Sequence, residues 1–217
     1  TLSLHDAWPG WEDSAVAPGD LAPYLRELRR LLDAYGYEAA LYGHFGQGCV
    51  HCRISFDLVT HDGIRRWRAF MLEAAHLVTR HGGSLSGEHG DGQARGELLS
   101  IMVGDRLVGA FREFKAIWDP LDRMNPGKVA DARPLDADLR LGAAWSPRYP
   151  ALHIRLDDDD TFPRAATRCV GVGLCRKEGG GTMCPSYMVT REEMHSTRGR
   201  AHLLFEAYGI DQPDWAK

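Results

Sequence analysis

The 217-residue sequence predicts an α+β fold, an antiparallel sheet with helices on one face, and three observations carry that prediction. Apolar residues recur at helical spacing over residues 21–35 and again over 62–81. Residues 50–56 instead alternate, with Val50, Cys52, Ile54 and Phe56 on one face and His51, Arg53 and Ser55 on the other. The resulting order of helix, strand, strand, helix and strand fits a sheet covered on one side.

Asp20 is placed to cap the first helix, whose inward stripe is Leu21, Tyr24, Leu25, Leu28, Leu31, Leu32 and Tyr35, and Gly36 ends it. Residues 38–43 and 50–56 read as strands. The apolar face of the second goes to the core, so His51 points the other way. A second helix is expected over 62–81, with Ile64, Trp67, Phe70, Met71, Ala74 and Val78 inward and Gly82-Gly83 as its stop. Residues 84–86, "SLS", read as a further strand leading into "GEHGDG". A third helical region, 96–118, carries Leu98, Met102, Leu107, Val108, Phe111, Phe114 and Ile117, with a break at Gly104-Asp105 and closure at Asp119-Pro120. From residue 131 the character changes to a proline-bearing stretch with an acidic run at Asp157 to Asp160, expected to be an extended linker with a solvated charge cluster.

Composition narrows the function. Apolar residues make up 44% and charged residues 26%, which excludes wholesale disorder. A net charge of −4 lacks the basic footprint of a nucleic-acid binder. No apolar run reaches membrane-spanning length, and "TLSLHDAWPGWEDS" has no signal-like region, so the expected location is the cytoplasm and no transmembrane segment is expected. The chain begins at Thr1 and stops soon after a helical segment, which leads to the expectation that it is a fragment. Of five cysteines, Cys169, Cys175 and Cys184 crowd one Gly-rich stretch, a pattern that in a cytosolic chain favours ligation over disulfides.

Two stretches carry candidate chemistry. "YGHFGQGCVH" sets His44 and His51 on either side of a Gly46/Gly48 loop, so a hairpin can bring both rings to one end of the sheet. Glu88 lies in a second Gly-rich loop, and two imidazoles with a carboxylate are ordinary zinc ligands that leave a position open. His89, pointing away from Glu88 if the loop is extended, is free to act as a base. Taken singly, a histidine in a strand is more often structural, and the glycines of "GEHGDG" equally mark a tight turn.

"HFGQGCVH" resembles the HxGDGNxH motif of the FAD-linked oxidase C-terminal domain in the vanillyl-alcohol-oxidase-like flavoprotein superfamily. "SGEHGDG" resembles that family's SxEHGxG motif, and "IWDPLDRMNPGKV" its closing DPxxxxNPGK segment. Members include D-lactate, D-2-hydroxyglutarate and glycolate dehydrogenases. The resemblance implies that His44, His51 and Glu88 hold a divalent zinc or manganese ion, that His89 is the catalytic base, and that Asn125 lies near the flavin side of a domain interface. The turn before Pro126-Gly127 explains Asn125 equally well. Gln47 stands where the family has Asp, and Cys49 where it has an Asn that can touch substrate, which bears on substrate identity.

"RCVGVGLCRKEGGGTMCPSY" ends in the Cys-Pro step of ferredoxin-type loops, but its spacing departs from C-x2-C-x2-C-x3-C-P and it holds three cysteines. A zinc knuckle and a plain cysteine-bearing loop are the alternatives. With "EEMHSTRGRAHLL", it resembles the junction to the iron–sulfur domain of large fused flavin dehydrogenases. That implies a 4Fe-4S cluster at Cys169, Cys175 and Cys184, incomplete in this chain, and a helix from Ser196 or Thr197.

The domains implied are 1–130, an FAD-linked oxidase C-terminal domain; 131–164, a linker; and 165–217, the start of a partial α-helical ferredoxin-like iron–sulfur segment. The function implied is part of a flavin-dependent D-2-hydroxyacid dehydrogenase. Hydride from a small 2-hydroxyacid goes to FAD, held mainly by an upstream domain, and electrons go to a cluster shared with a downstream domain. Membrane association would come only through electron-acceptor partners. The residues also allow a metal-dependent hydrolase using the same His/His/Glu set, or a non-catalytic electron-transfer or assembly module.

Overall fold

The computed structural model describes residues 10–139, 141–153, 155–156, 161–167, 169 and 172–209. These fall into two compact units, residues 10–143 and the residues from Ala144 onward.

The first unit is built on a three-stranded antiparallel sheet of β1 (Gly10–Ala15), β2 (Ala39–His44) and β3 (Cys49–Ile54), in the order β1-β3-β2. Helices α1 (Leu21–Tyr35) and α2 (His61–Arg80) supply the core with the stripes read from the sequence. Tyr24, Leu28 and Leu32 of α1 and Phe70, Met71, Ala74 and Val78 of α2 are buried in one cluster with Trp11, Cys52 and Ile54 of the sheet. Gly36, at φ 64, ends α1, and Thr60 caps α2 by accepting a hydrogen bond from the Gly63 amide.

The strand at the sheet's other edge is β1, not "SLS". Ser84 makes only an isolated bridge to Ala15, and the chain bends at Leu85 directly after it. No alternation announces β1, because a bulge interrupts it. Trp11 pairs with Cys52 and Ser14 with Val50, so Glu12 and Asp13 together face the single residue His51. Trp11 and Ser14 both point to the core, where each meets the Tyr24 hydroxyl, at 2.9 and 2.8 Å. Asp13 takes up the extra residue in a left-handed conformation, φ 69.

The third helical region divides at Gly104 (φ 80) into α3 (Leu99–Val103) and α4 (Asp105–Trp118). Leu98 and Val108 are buried, but Leu107, Phe114 and Ile117 are 44%, 65% and 73% exposed, so this part of the expected stripe is not covered by the described residues. Residues beyond 131 pack on this unit before any extended stretch begins. Leu135 joins the core, its amide donates to Glu97 Oε2 at 2.6 Å, and Arg68 bridges Glu97 and Asp136.

The second unit contains α5 (Phe162–Thr167), α6 (Pro185–Thr190) and α7 (Thr197–Gly209). The last begins where "HSTRGRAHLL" predicted. The acidic run Asp157 to Asp160 lies outside the described residues, as do residues 1–9 and 210–217. No helix among the described residues is long and apolar enough to cross a membrane.

Candidate functional site

The hairpin β2–β3 places its histidines on one face by simple register. Tyr42 pairs with His51 and His44 with Cys49, so residues 42, 44, 49 and 51 share the face opposite Val50, Cys52 and Ile54. The turn between the strands depends on Gly48. Its φ of 77 favours glycine, and a Cβ there would collide with the Val16 carbonyl oxygen. His51, although on the non-core face, is buried, because the Tyr42 ring stacks on it at 5.0 Å and the His89 ring at 5.1 Å.

Residues 87–89 are bent rather than extended, and Gly90 adopts φ 85. Glu88 and His89 therefore converge instead of diverging. Glu88 Oε1 lies 3.2 Å from His51 Nε2, 3.7 Å from His44 Nε2 and 3.6 Å from His89 Nε2. Ligand atoms of His44, His51 and Glu88 all lie within 4.8 Å of one another. Donors about 2.0–2.2 Å from a shared zinc ion stand roughly 3–3.5 Å apart at tetrahedral angles. The separations seen here lie at that spacing or just beyond it, so the donor set fits a divalent ion.

Three further residues complete the site and were not read from the sequence. Asp13 clamps the Glu88 loop: its carboxylate accepts the His89 amide at 2.8 Å, the Glu88 amide at 3.1 Å and the Ser86 hydroxyl. Burial alone would raise this carboxyl. The hydrogen bonds from Ser86, His89, Glu88 and Cys49 outweigh it and hold the pKa at about 2. Asp13, Glu88 and His89 also have ligand atoms close together, but the Asp13 oxygens already serve four donors. Glu12 reaches the far side of the His51 ring, with Oε2 3.1 Å from Nδ1. Arg95 is buried over the Trp11 ring at 4.6 Å and donates to the Glu12 carbonyl at 3.1 Å. Burial lowers its pKa to about 10, and it stays a cation at neutral pH. The signal for Glu12 and Asp13 was present as two adjacent carboxylates after a tryptophan, but only the bulge turns both to one face.

Cys49 lies beneath the loop, its Sγ 3.4 Å from Asp13 Oδ1 and 3.8 Å from Glu88 Oε1. Burial, followed by the Asp13 hydrogen bond and the nearby negative charges, pushes its thiol up to about 12, so it is a neutral donor toward these carboxylates.

Asn125 is not in this cluster. It sits after α4 at φ 49 and lines a groove of about 600 Å³ with Phe111, Phe114, Met124 and Lys128, which opens beside Gly92 at the end of the Glu88 loop. In the second unit, Cys184 adopts φ 53 ahead of Pro185, and its sulfur receives the Thr197 amide at 3.0 Å and faces the Thr197 hydroxyl at 2.6 Å. The Thr197 hydroxyl, then its amide, Cys175 and Arg200, lower the Cys184 pKa against the effect of burial. Among the described residues, no metal-ready group of three or more contains Cys169, Cys175 or Cys184.

Comparison with known proteins gives a family match, "FAD linked oxidases, C-terminal domain", over residues 2–129. The chain is 35% identical over 204 residues to D-2-hydroxyglutarate dehydrogenase of Pantoea ananatis, covering 91% of this chain and 19% of that protein. It is 34% identical over 199 residues to D-2-hydroxyglutarate dehydrogenase of Escherichia coli, with the same coverage of 91% and 19%. D-lactate dehydrogenase of Archaeoglobus fulgidus is 33% identical over 117 residues, covering 54% of this chain and 26% of that protein. The chain thus spans about a fifth of the length of the relatives it matches along most of its own.

Proposed function

Since the chain belongs to the family of FAD linked oxidases, C-terminal domain, we propose that it forms the substrate- and metal-binding part of a flavin-dependent D-2-hydroxyacid dehydrogenase. D-2-hydroxyglutarate is the foremost candidate substrate. The relatives matched over 91% of the chain carry that name, whereas the D-lactate relative matches 54%. The observation that carries the reading is the convergence of His44, His51, Glu88 and His89 on one point.

His44 Nε2, His51 Nε2 and Glu88 Oε1 would hold a divalent ion, zinc or manganese. When bound, such an ion would supply Lewis-acid polarisation to a chelating hydroxyacid, and a flavin would supply a hydride acceptor for its α-carbon. His89 then serves as the catalytic base. Its Nε2 faces the ligand cluster, and its backbone is fixed by the Asp13 clamp, so the ring can take the substrate's hydroxyl proton without losing its place. His51, buried beneath the stacked Tyr42 ring, forms one side of the cluster. The flavin would be held mainly by another domain of the parent protein, with Asn125 on the flavin side of the domain interface, where it lines the groove beside the Glu88 loop.

An iron–sulfur cluster at Cys169, Cys175 and Cys184 is the reading for the second unit. It is supported by the Cys-Pro step and by the hydrogen bonding that favours a Cys184 thiolate. Iron and acid-labile sulfide analysis of the full-length protein tests it.

The test of the main reading is His89→Ala in the full-length protein, followed by stopped-flow reduction of its flavin with D-2-hydroxyglutarate. Loss of a general base should slow reduction by about 10²–10⁴-fold while the bound metal is retained. Reduction at the wild-type rate would remove His89 from the chemistry. A hydrolase using the same ligands has no observation of its own to favour it over the flavin family.

A further inference from the structure

We propose that Glu12 is a positioning residue for the His51 ligand, fixing its ring and tautomer so that Nε2 presents a lone pair to the ion; this rests on the metal reading above.

The geometry separates two carboxylates on opposite edges of one imidazole. Glu12 Oε2 lies 3.1 Å from Nδ1, and Glu88 Oε1 lies 3.2 Å from Nε2. Because Glu12 meets the ring through Nδ1, it cannot share an ion with Nε2 and is not itself a ligand of that site. Ionised carboxylates only accept, so a neutral His51 can donate to just one of the two; an ion shared by Nε2 and Glu88 leaves the proton on Nδ1, where Glu12 accepts it. Nε2 is then an acceptor facing a second acceptor, Glu88 Oε1, an arrangement that a cation between them relieves. Metal-bound histidines commonly donate their other ring N–H to a carboxylate in this way.

Glu12 is held for the task from several sides. Arg53 Nε is 3.1 Å from Oε1, the Tyr42 hydroxyl donates to Oε2 at 3.3 Å, and Arg95 Nη2 grips the Glu12 carbonyl. The bulge explains why the residue is available at all. In a regular strand either Glu12 or Asp13 would face the core, whereas here one carboxylate aligns His51 and the next clamps the Glu88 loop. His51 and Glu88 therefore receive their orientation from adjacent residues of one strand.

The experiment measures zinc affinity by chelator competition on metal-stripped full-length protein, with the melting temperature of the metal-free form recorded alongside, for wild type, Glu12→Ala, Glu12→Gln and His51→Ala. Glu12→Ala should weaken zinc binding by about 10–100-fold with the metal-free form still fully folded at the assay temperature. Glu12→Gln, which keeps an acceptor oxygen and loses the charge, should fall between. Affinity in Glu12→Ala equal to wild type would overturn the proposal while loss of zinc in His51→Ala keeps the metal site itself. A loss of affinity in a metal-free form that is already partly unfolded at the assay temperature would also overturn it, as a structural effect. If Glu12→Ala does not fold, Glu12→Gln decides: wild-type affinity overturns the proposal and weakened affinity supports it. A wild-type protein that binds no zinc, or His51→Ala binding it unchanged, overturns the metal reading and the proposal together.

Discussion

Asp13 accepts a 2.8 Å hydrogen bond from the amide of His89, a residue 76 positions further along the chain, and this one contact joins the edge strand to the loop that carries both Glu88 and the proposed base. The same carboxylate takes the Glu88 amide and the Ser86 hydroxyl. Loop and strand are therefore a single rigid piece.

Asp13→Ala should lower stability by about 1–3 kcal/mol for each buried donor it leaves unpaired, and slow flavin reduction even though no ligand is removed. Denaturant unfolding and stopped-flow reduction measure the two effects. The pH dependence has a definite sign. The folded pKa of about 2 lies below the unfolded value, so the stabilisation is complete above the unfolded carboxylate range, near pH 4, and fades as pH falls toward 2. Asp13→Asn should lose that component of the acid dependence. An acid unfolding profile unchanged by this substitution would show that the clamp does not operate.

Cys49 and Cys52 should both resist alkylation in the folded protein. Burial pushes each thiol up to about 12, which leaves roughly one part in ten thousand as thiolate at pH 8. Mass spectrometry after iodoacetamide treatment, native against denatured, should find both modified only after denaturation. Rapid native labelling of Cys49 would show that its thiol is ionised beside Glu88.

Gly48→Ala should weaken the hairpin between the two ligand histidines. The left-handed conformation alone costs about 1–2 kcal/mol for a residue with a Cβ, and the new methyl would also meet the Val16 carbonyl. Unfolding midpoints should fall, and zinc affinity with them, because His44 and His51 lose their shared register. Equal midpoints for variant and wild type would mean that the turn relaxes without moving the strands.

Much of the frame was legible because it rests on local rules. The stripes of α1 and α2 follow a period of 3.6, and the β3 residues alternate, so the inward faces of these elements could be read directly. The break at Gly104 was visible for the same reason. By contrast, β1 was hidden by its bulge, since two successive residues on one face erase the alternation that marks a strand. The exposed residues Leu107, Phe114 and Ile117 looked like core because periodicity records which face is apolar and not what covers it.

The sequence alone determined the α+β frame, the family, and the residue types His44, His51, Glu88 and His89 in two Gly-rich loops. Only the tertiary structure decided that those four side chains meet, that Glu12 and Asp13 serve them, and that Cys49 lies beneath the loop as a neutral donor to Asp13. The physical reason is separation along the chain. Periodicity and turn chemistry act over a few residues, whereas the site is assembled by hydrogen bonds between segments 30 to 76 positions apart, and those depend on strand order and register.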